Sequence, residues 1–143
     1  MKILIRPTQI VFLLALAILF SVHADTPLES NMDKMKSAFR SLRADLQSPV
    51  DSDKNKYLAL VEKLRVASVA AKDLDPQRTA SIPQDNREDF LRQYRQEMDD
   101  LIALIDGLKK QISGSAWDAA REQIKLIAQA QKDGHKEFRS END

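Results

Sequence analysis

The sequence predicts an all-α protein: an antiparallel, up-down-up-down four-helix bundle after a cleaved signal peptide. Three observations carry this. Glycine (3 residues) and aromatic residues (6%) are too scarce for a turn-rich sheet protein, whereas Ala, Leu, Lys, Gln, Asp and Glu, the good helix formers among them, abound. Four stretches carry apolar residues three and four apart, the spacing of one helix face. The breaks between those stretches are marked by Pro or Gly, which end helices.

The chain of 143 residues opens with Lys2 and Arg6, an apolar run from Ile10 to Phe20, and then Ser21, Val22, His23 and Ala24. A basic start, a short apolar run and small residues form the order of a secretory signal peptide, with Val22 and Ala24 placed for a cut after Ala24. The run is short for a membrane-spanning helix, so removal is favoured over an uncleaved anchor. Residues 25–143 then form one domain of 119 residues with no stable membrane anchor, long enough for a core without disulfides.

Helix one opens at Thr26-Pro27-Leu28-Glu29, where Thr26 caps, Pro27 takes the first helical position and Glu29 completes a capping box. Its stripe is Leu28, Met32, Met35, Phe39, Leu42 and Leu46, and Ser48-Pro49 ends it. Helix two starts after Asp51-Ser52-Asp53, with the stripe Tyr57, Val61, Leu64, Ala67/Ser68, Ala71 and Leu74; Asp75-Pro76 closes it and a polar loop runs to about Gln84. Helix three takes Asp85 as cap, with the stripe Phe90, Tyr94, Met98, Leu101, Leu104/Ile105, Leu108 and Ile112. Gly114 stands at its C-terminal end. Ser115 is the expected cap of helix four, whose stripe is Trp117, Ala120, Ile124, Ile127, Gln131, Gly134 and Phe138, with Ala128 and His135 along its edge.

Composition excludes much chemistry. With no cysteine there is no disulfide framework, thiolate metal site, thiol catalysis or thioether-linked haem. No glycine-rich phosphate loop is present. Loss of the signal takes Lys2, Arg6 and His23, leaving 20 basic against 22 acidic residues, a net charge of −2, and no basic stripe with aromatics for nucleic acid. No catalytic constellation is visible either, since carboxylates and lysines fall on exposed helix positions with no second histidine to pair with a base.

The expected mature chain keeps one histidine, His135, and three methionines, Met32, Met35 and Met98. Up-down topology brings the start of helix one and the end of helix four to the same end of the bundle. Met32 and His135 then share an apolar, aromatic end that also receives Phe90, Tyr94 and Met98. A thioether and an imidazole there would suit the two axial positions of a haem iron. Periodicity alone also accommodates Met32 as a core filler and His135 as a solvent-facing residue favouring the helix dipole.

The segment Leu28-Glu29-Ser30-Asn31-Met32 resembles the opening of mature cytochrome b562, and Gly134-His135-Lys136-Glu137-Phe138-Arg139 resembles that family's closing histidine segment. The resemblance implies a periplasmic electron-transfer protein, not an enzyme, holding one noncovalent b-type haem per chain, with Met32 and His135 as axial ligands. It also implies that Met35, Tyr94, Met98 and Phe138 line the pocket, with Arg139 near the haem edge or a propionate. The partners would be redox proteins, and the protein a monomer. The chain departs from the family in carrying Gly134 where an aromatic is usual and Gln131 where the best-known member has a basic residue. Two other readings stand beside this one: a haem-free periplasmic bundle that binds a partner or serves as a stress protein, and a Cu(I) site on Met32, Met35 and His135.

Overall fold

The computed structural model describes residues 26–139, so the expected signal peptide and its cleavage site lie outside the described residues. Four helices follow in order: α1 (Pro27–Asp45), α2 (Lys54–Lys72), α3 (Gln84–Ser113) and α4 (Trp117–Phe138). Short 3-10 turns, Asp51–Asp53 and Gln77–Ser81, occupy the first two connections. Among the described residues there is no strand, and no helix is long and apolar enough to cross a membrane. The all-α bundle expected from the stripes is the observed architecture.

The first helix starts as its sequence specifies. Thr26 N–H donates to the Glu29 carboxylate (2.7 Å) and Glu29 N–H donates to Thr26 Oγ1 (3.2 Å), which satisfies two amide donors that α1 itself cannot. The helix ends earlier than expected, at Asp45, three residues before Ser48. Leu46 N–H still reaches the Leu42 carbonyl (2.9 Å), and its side chain is buried as the last rung of the stripe. The second helix also closes early, at Lys72, and Leu74 packs against the core from outside the helix.

Two expected caps are corrected. Asp85 does not cap α3: the helix begins at Gln84 behind Pro83, whose carbonyl accepts from Asn86 N–H, and no side chain caps it. Proline fixes the entry angle there without a side-chain acceptor. Nor does Ser115 cap α4; Ala116 holds that position. Ser115 instead takes the left-handed residue of a Schellman ending to α3 (φ 54°), with Ala116 N–H on the Gln111 carbonyl (2.9 Å) and Ser115 N–H on the Ile112 carbonyl (3.0 Å). Gly114, expected as the C-terminal glycine, has φ −85° and needs no glycine. A left-handed serine is unfavourable by about 1–2 kcal/mol; its hydroxyl donates to Asp51 (2.7 Å), which offsets part of that and ties two connections together.

That bond fixes the topology of one end. The α1–α2 and α3–α4 connections meet there, and Tyr57 and Trp117 pack edge to face beside them with ring centroids 5.9 Å apart. At the other end the α2–α3 connection lies against the first turn of α1 and the last turn of α4. Between the ends the stripes interlock in one core, with Leu42, Leu64, Ile105, Leu108 and Ile127 fully buried. Ser68, the one buried polar residue of α2, donates its hydroxyl to the Leu64 carbonyl (2.9 Å) and so leaves no unmet polar group.

The helices do not pack evenly. Backbones approach closely between α1 and α2, α2 and α3, and α3 and α4, but α1 and α4 make no comparable approach. Three cross-helix ion pairs stitch α2 to α3 (Arg65–Asp106, Lys72–Asp99 and Lys109–Glu62), and Lys56–Asp45 joins α1 to α2. Among the described residues no ion pair crosses from α1 to α4.

Candidate functional site

The α2–α3 connection shows how Met32 and His135 are placed. Gln77 and Arg78 are neighbours in its 3-10 turn. Gln77 Nε2 donates to Glu29 Oε1 (3.1 Å) in the first turn of α1, and Arg78 Nη1 donates to the Glu137 carbonyl (2.6 Å) in the last turn of α4. Adjacent residues therefore clamp the start of α1 and the finish of α4 at one end of the bundle. Met32 lies three residues after Glu29, and His135 two before Glu137.

Met32 is half-buried and packs against the edge of the core. His135 is exposed on α4. Its imidazole pKa is lowered from the usual histidine value, first by what burial the ring has, then by the positive charges of Arg139 on its own helix and Lys36 on α1. Lys36 is one turn beyond Met32, so the α1 charge that His135 feels comes from the Met32 side of that helix. A lowered pKa keeps this imidazole neutral at pH 7, the form that binds a metal.

The other expected residues fall into two groups. Met35, Tyr94, Met98 and Phe138 are all buried at or near this end. Phe138 packs against Phe90 (5.3 Å between centroids) and Tyr94 (5.2 Å), so the end is closed by three rings. The Tyr94 hydroxyl donates to the Ala71 carbonyl (2.8 Å), and burial pushes its pKa up to about 12, so it remains a neutral donor. Arg139 is exposed and caps the end of α4. The sequence did not single out Lys36, Gln77 or Arg78. Lys36 was findable by its four-residue step from Met32, but nothing local marks Arg78, whose partner is 59 positions away.

A second group of charges lies behind the rings. Glu97 has its carboxyl held above the usual range, first by burial and then by the Glu137 carboxylate nearby, partly offset by a hydrogen bond with Gln93. Gln93 also donates to Glu137.

A Cβ added at Gly134 would meet nothing within 4 Å, although Gly134 lies on the stripe of α4 between Gln131 and Phe138. Position 134, next to His135, can therefore take a side chain without a clash. Gly134→Ala should stabilise the haem-free chain by about 0.8–1.0 kcal/mol, the helix propensity difference with no clash against it; urea unfolding of both proteins checks this.

The donor set, one thioether and one neutral imidazole, fits a haem iron, and the apolar side chains buried at this end suit the faces of a macrocycle. Among the described residues no group of three histidine or carboxylate side chains gathers in the manner of a metal-ion site. A surface groove of about 430 Å³ lies elsewhere, between α1 and α2, lined by Asn31, Lys34, Ala59, Glu62, Lys63, Val66 and Ala67. It is open to solvent and holds no donor pair of this kind.

No curated protein matches the chain. The sequence profile of cytochrome b562 matches residues 27–139, nearly the whole of the described bundle and most of the chain. On that match the chain belongs to the cytochrome b562 family, whose members are haem-binding electron-transfer cytochromes.

Proposed function

We propose that the mature protein is a periplasmic electron carrier that holds one noncovalent b-type haem between Met32 and His135. The observation that carries this reading is the asymmetry of the bundle. The neighbouring helices whose backbones do not approach closely, α1 and α4, are the two that bear a methionine and the only histidine of the described residues. The N-terminal segment, with its basic start, short apolar run and small residues, supports export.

Bound haem supplies a one-electron iron couple, and a Met/His pair raises its potential relative to many other ligations. The protein's own part is to hold and shield. Met32 and His135 would hold the iron as its protein ligands, a role suited to electron transfer, which makes the protein a carrier and not an enzyme. Met35, Tyr94, Met98 and Phe138 would keep water from the macrocycle. Arg139 would lie toward its polar edge. Redox proteins would be the partners, and the carrier a monomer.

Absorption spectroscopy of the mature protein after haem addition tests the reading. A low-spin, six-coordinate spectrum is expected, and Met32→Ala and His135→Ala should each convert it to high spin. An unchanged spectrum in both variants overturns the ligand assignment. Full helical folding without haem uptake would instead favour a haem-free bundle, and copper in protein purified without haem would favour the soft-metal site.

A further inference from the structure

The cations of this protein are unequally neutralised. On α2 and α3, Arg65, Lys72 and Lys109 are each spent on a carboxylate of the facing helix. The α1–α4 seam is different. From α1, Lys36, Arg40 and Arg43 follow Met32 at steps of four, eight and eleven residues, along the side that faces α4. From α4, Lys132 and Arg139 flank His135 at three residues before and four after. All five are exposed, and among the described residues none has an ion-pair partner. Two carboxylates share this border. Glu29 is engaged by Thr26 and Gln77, which leaves Asp33 as the one acid set against five cations. Across the bundle, α3 carries seven acidic residues against five basic ones. Two of those acids, Asp99 and Asp106, are already paired with α2, so the feature that sets this molecule's surface apart is the row of unpaired cations along the α1–α4 border.

We propose that this cationic border is the docking face for an acidic redox protein, one that presents a carboxylate-rich patch to the α1–α4 seam. The proposal rests on the haem reading for its purpose, because it brings the partner against the seam where the cofactor would sit. Charge governs both the rate and the orientation of such an encounter. A lipid surface is the less suited occupant. Among the described residues the large exposed apolar side chains are Val50, Val66, Val69 and Leu126, and none lies on the border, which therefore offers no apolar side chain of this size to a bilayer. Val50 is in the α1–α2 connection at the far end, and Val66 and Val69 are on α2. Leu126 is on α4 but shares its line with Glu122 and Asp133, away from His135.

The test uses the haem-loaded mature chain, with its absorption band recorded in every variant. Amide shifts are followed by NMR during titration with poly-L-glutamate, at about 0.01 M and about 1 M salt, where the screening length falls from roughly 30 to 3 Å. Shifts are expected along α1 and α4 at low salt and should vanish at high salt. The variant Lys36→Glu/Arg40→Glu/Lys132→Glu should weaken binding at least about tenfold, within the range of electrostatic steering. The control Lys63→Glu/Arg95→Glu/Lys110→Glu changes the net charge equally on other faces and should leave most of the binding. Equal loss in both variants, shifts spread over α2 and α3, or binding to phosphatidylglycerol vesicles with none to polyglutamate would overturn the proposal. Absence of the haem band would overturn the cofactor reading separately, since the same titration on the haem-free chain still reports the docking face.

Discussion

Replacing Phe138 with alanine is expected to destabilise the haem-free chain by about 3–5 kcal/mol, the cost of deleting a buried aromatic side chain. Phe138 is 6% exposed although it is the last residue of α4. Its ring packs on Phe90 and Tyr94 of α3, while Arg78 takes the carbonyl of the preceding residue. Helix ends fray when nothing holds them; here two separate contacts hold this one, and alanine removes the apolar half. The backbone of α4 lies close to α3 and to the α2–α3 connection but not to α1, so these two neighbours carry most of the hold on its last turn. The loss therefore falls on the turn that carries His135. Urea denaturation should show a lower midpoint with little change in slope. Haem uptake should weaken in the same variant even though neither ligand is altered. Phe138→Leu, which keeps most of the volume, should cost less than half as much. A change under 1 kcal/mol for Phe138→Ala would mean that the ring cluster contributes little to holding α4.

The sequence carried the bundle because its signals are local and repeated. Each stripe spans five or more turns, so a single misjudged residue does not shift the helix. The capping box at Thr26 is legible because both partners are three residues apart. The misread features depend on distant groups. Ser115 accepts a left-handed conformation with its hydroxyl held by Asp51, 64 positions away, and nothing in Gly114-Ser115 tells which of the two will take it. The 3-10 turn at Gln77–Ser81 looks like a polar loop because its role is to bond Glu29 and Glu137, 48 and 59 positions distant. The placement of Met32 and His135 at one end followed from helix order alone. The wider spacing of the α1 and α4 backbones did not, because apolar periodicity is the same whether a stripe meets a near helix or a more distant one.

Acid should release haem in a steep and movable transition, and its position should report the neighbours of His135. The pKa of this imidazole is lowered, so the ring stays neutral at pH 7 and loses its iron-binding form only below the usual histidine value of 6.5. Beneath its own pKa, each unit of pH should cost about tenfold in affinity, because the ligand must shed a proton to bind. The sign for the haem-free chain follows from the same shift. Between the lowered folded value and 6.5 the unfolded chain binds more protons, so stability rises with pH in that window; the cost is fully present below the folded pKa and absent above 6.5. Glu97 acts in the opposite sense. Its carboxyl is raised above the usual value by burial and by Glu137, so its cost is present at neutral pH and is relieved as acid protonates it. Lys36→Glu separates the two effects. It replaces a positive neighbour of His135 with a negative one and leaves Glu97 alone, so the His135 midpoint followed by NMR, and the haem-loss midpoint followed by absorbance, should both move to higher pH. Since Lys36 is on α1 and His135 on α4, a midpoint that stays fixed would mean that the Met32 side of α1 does not face the histidine. Those two side chains could not then share one iron, so this single charge change tests the geometry on which the haem assignment depends.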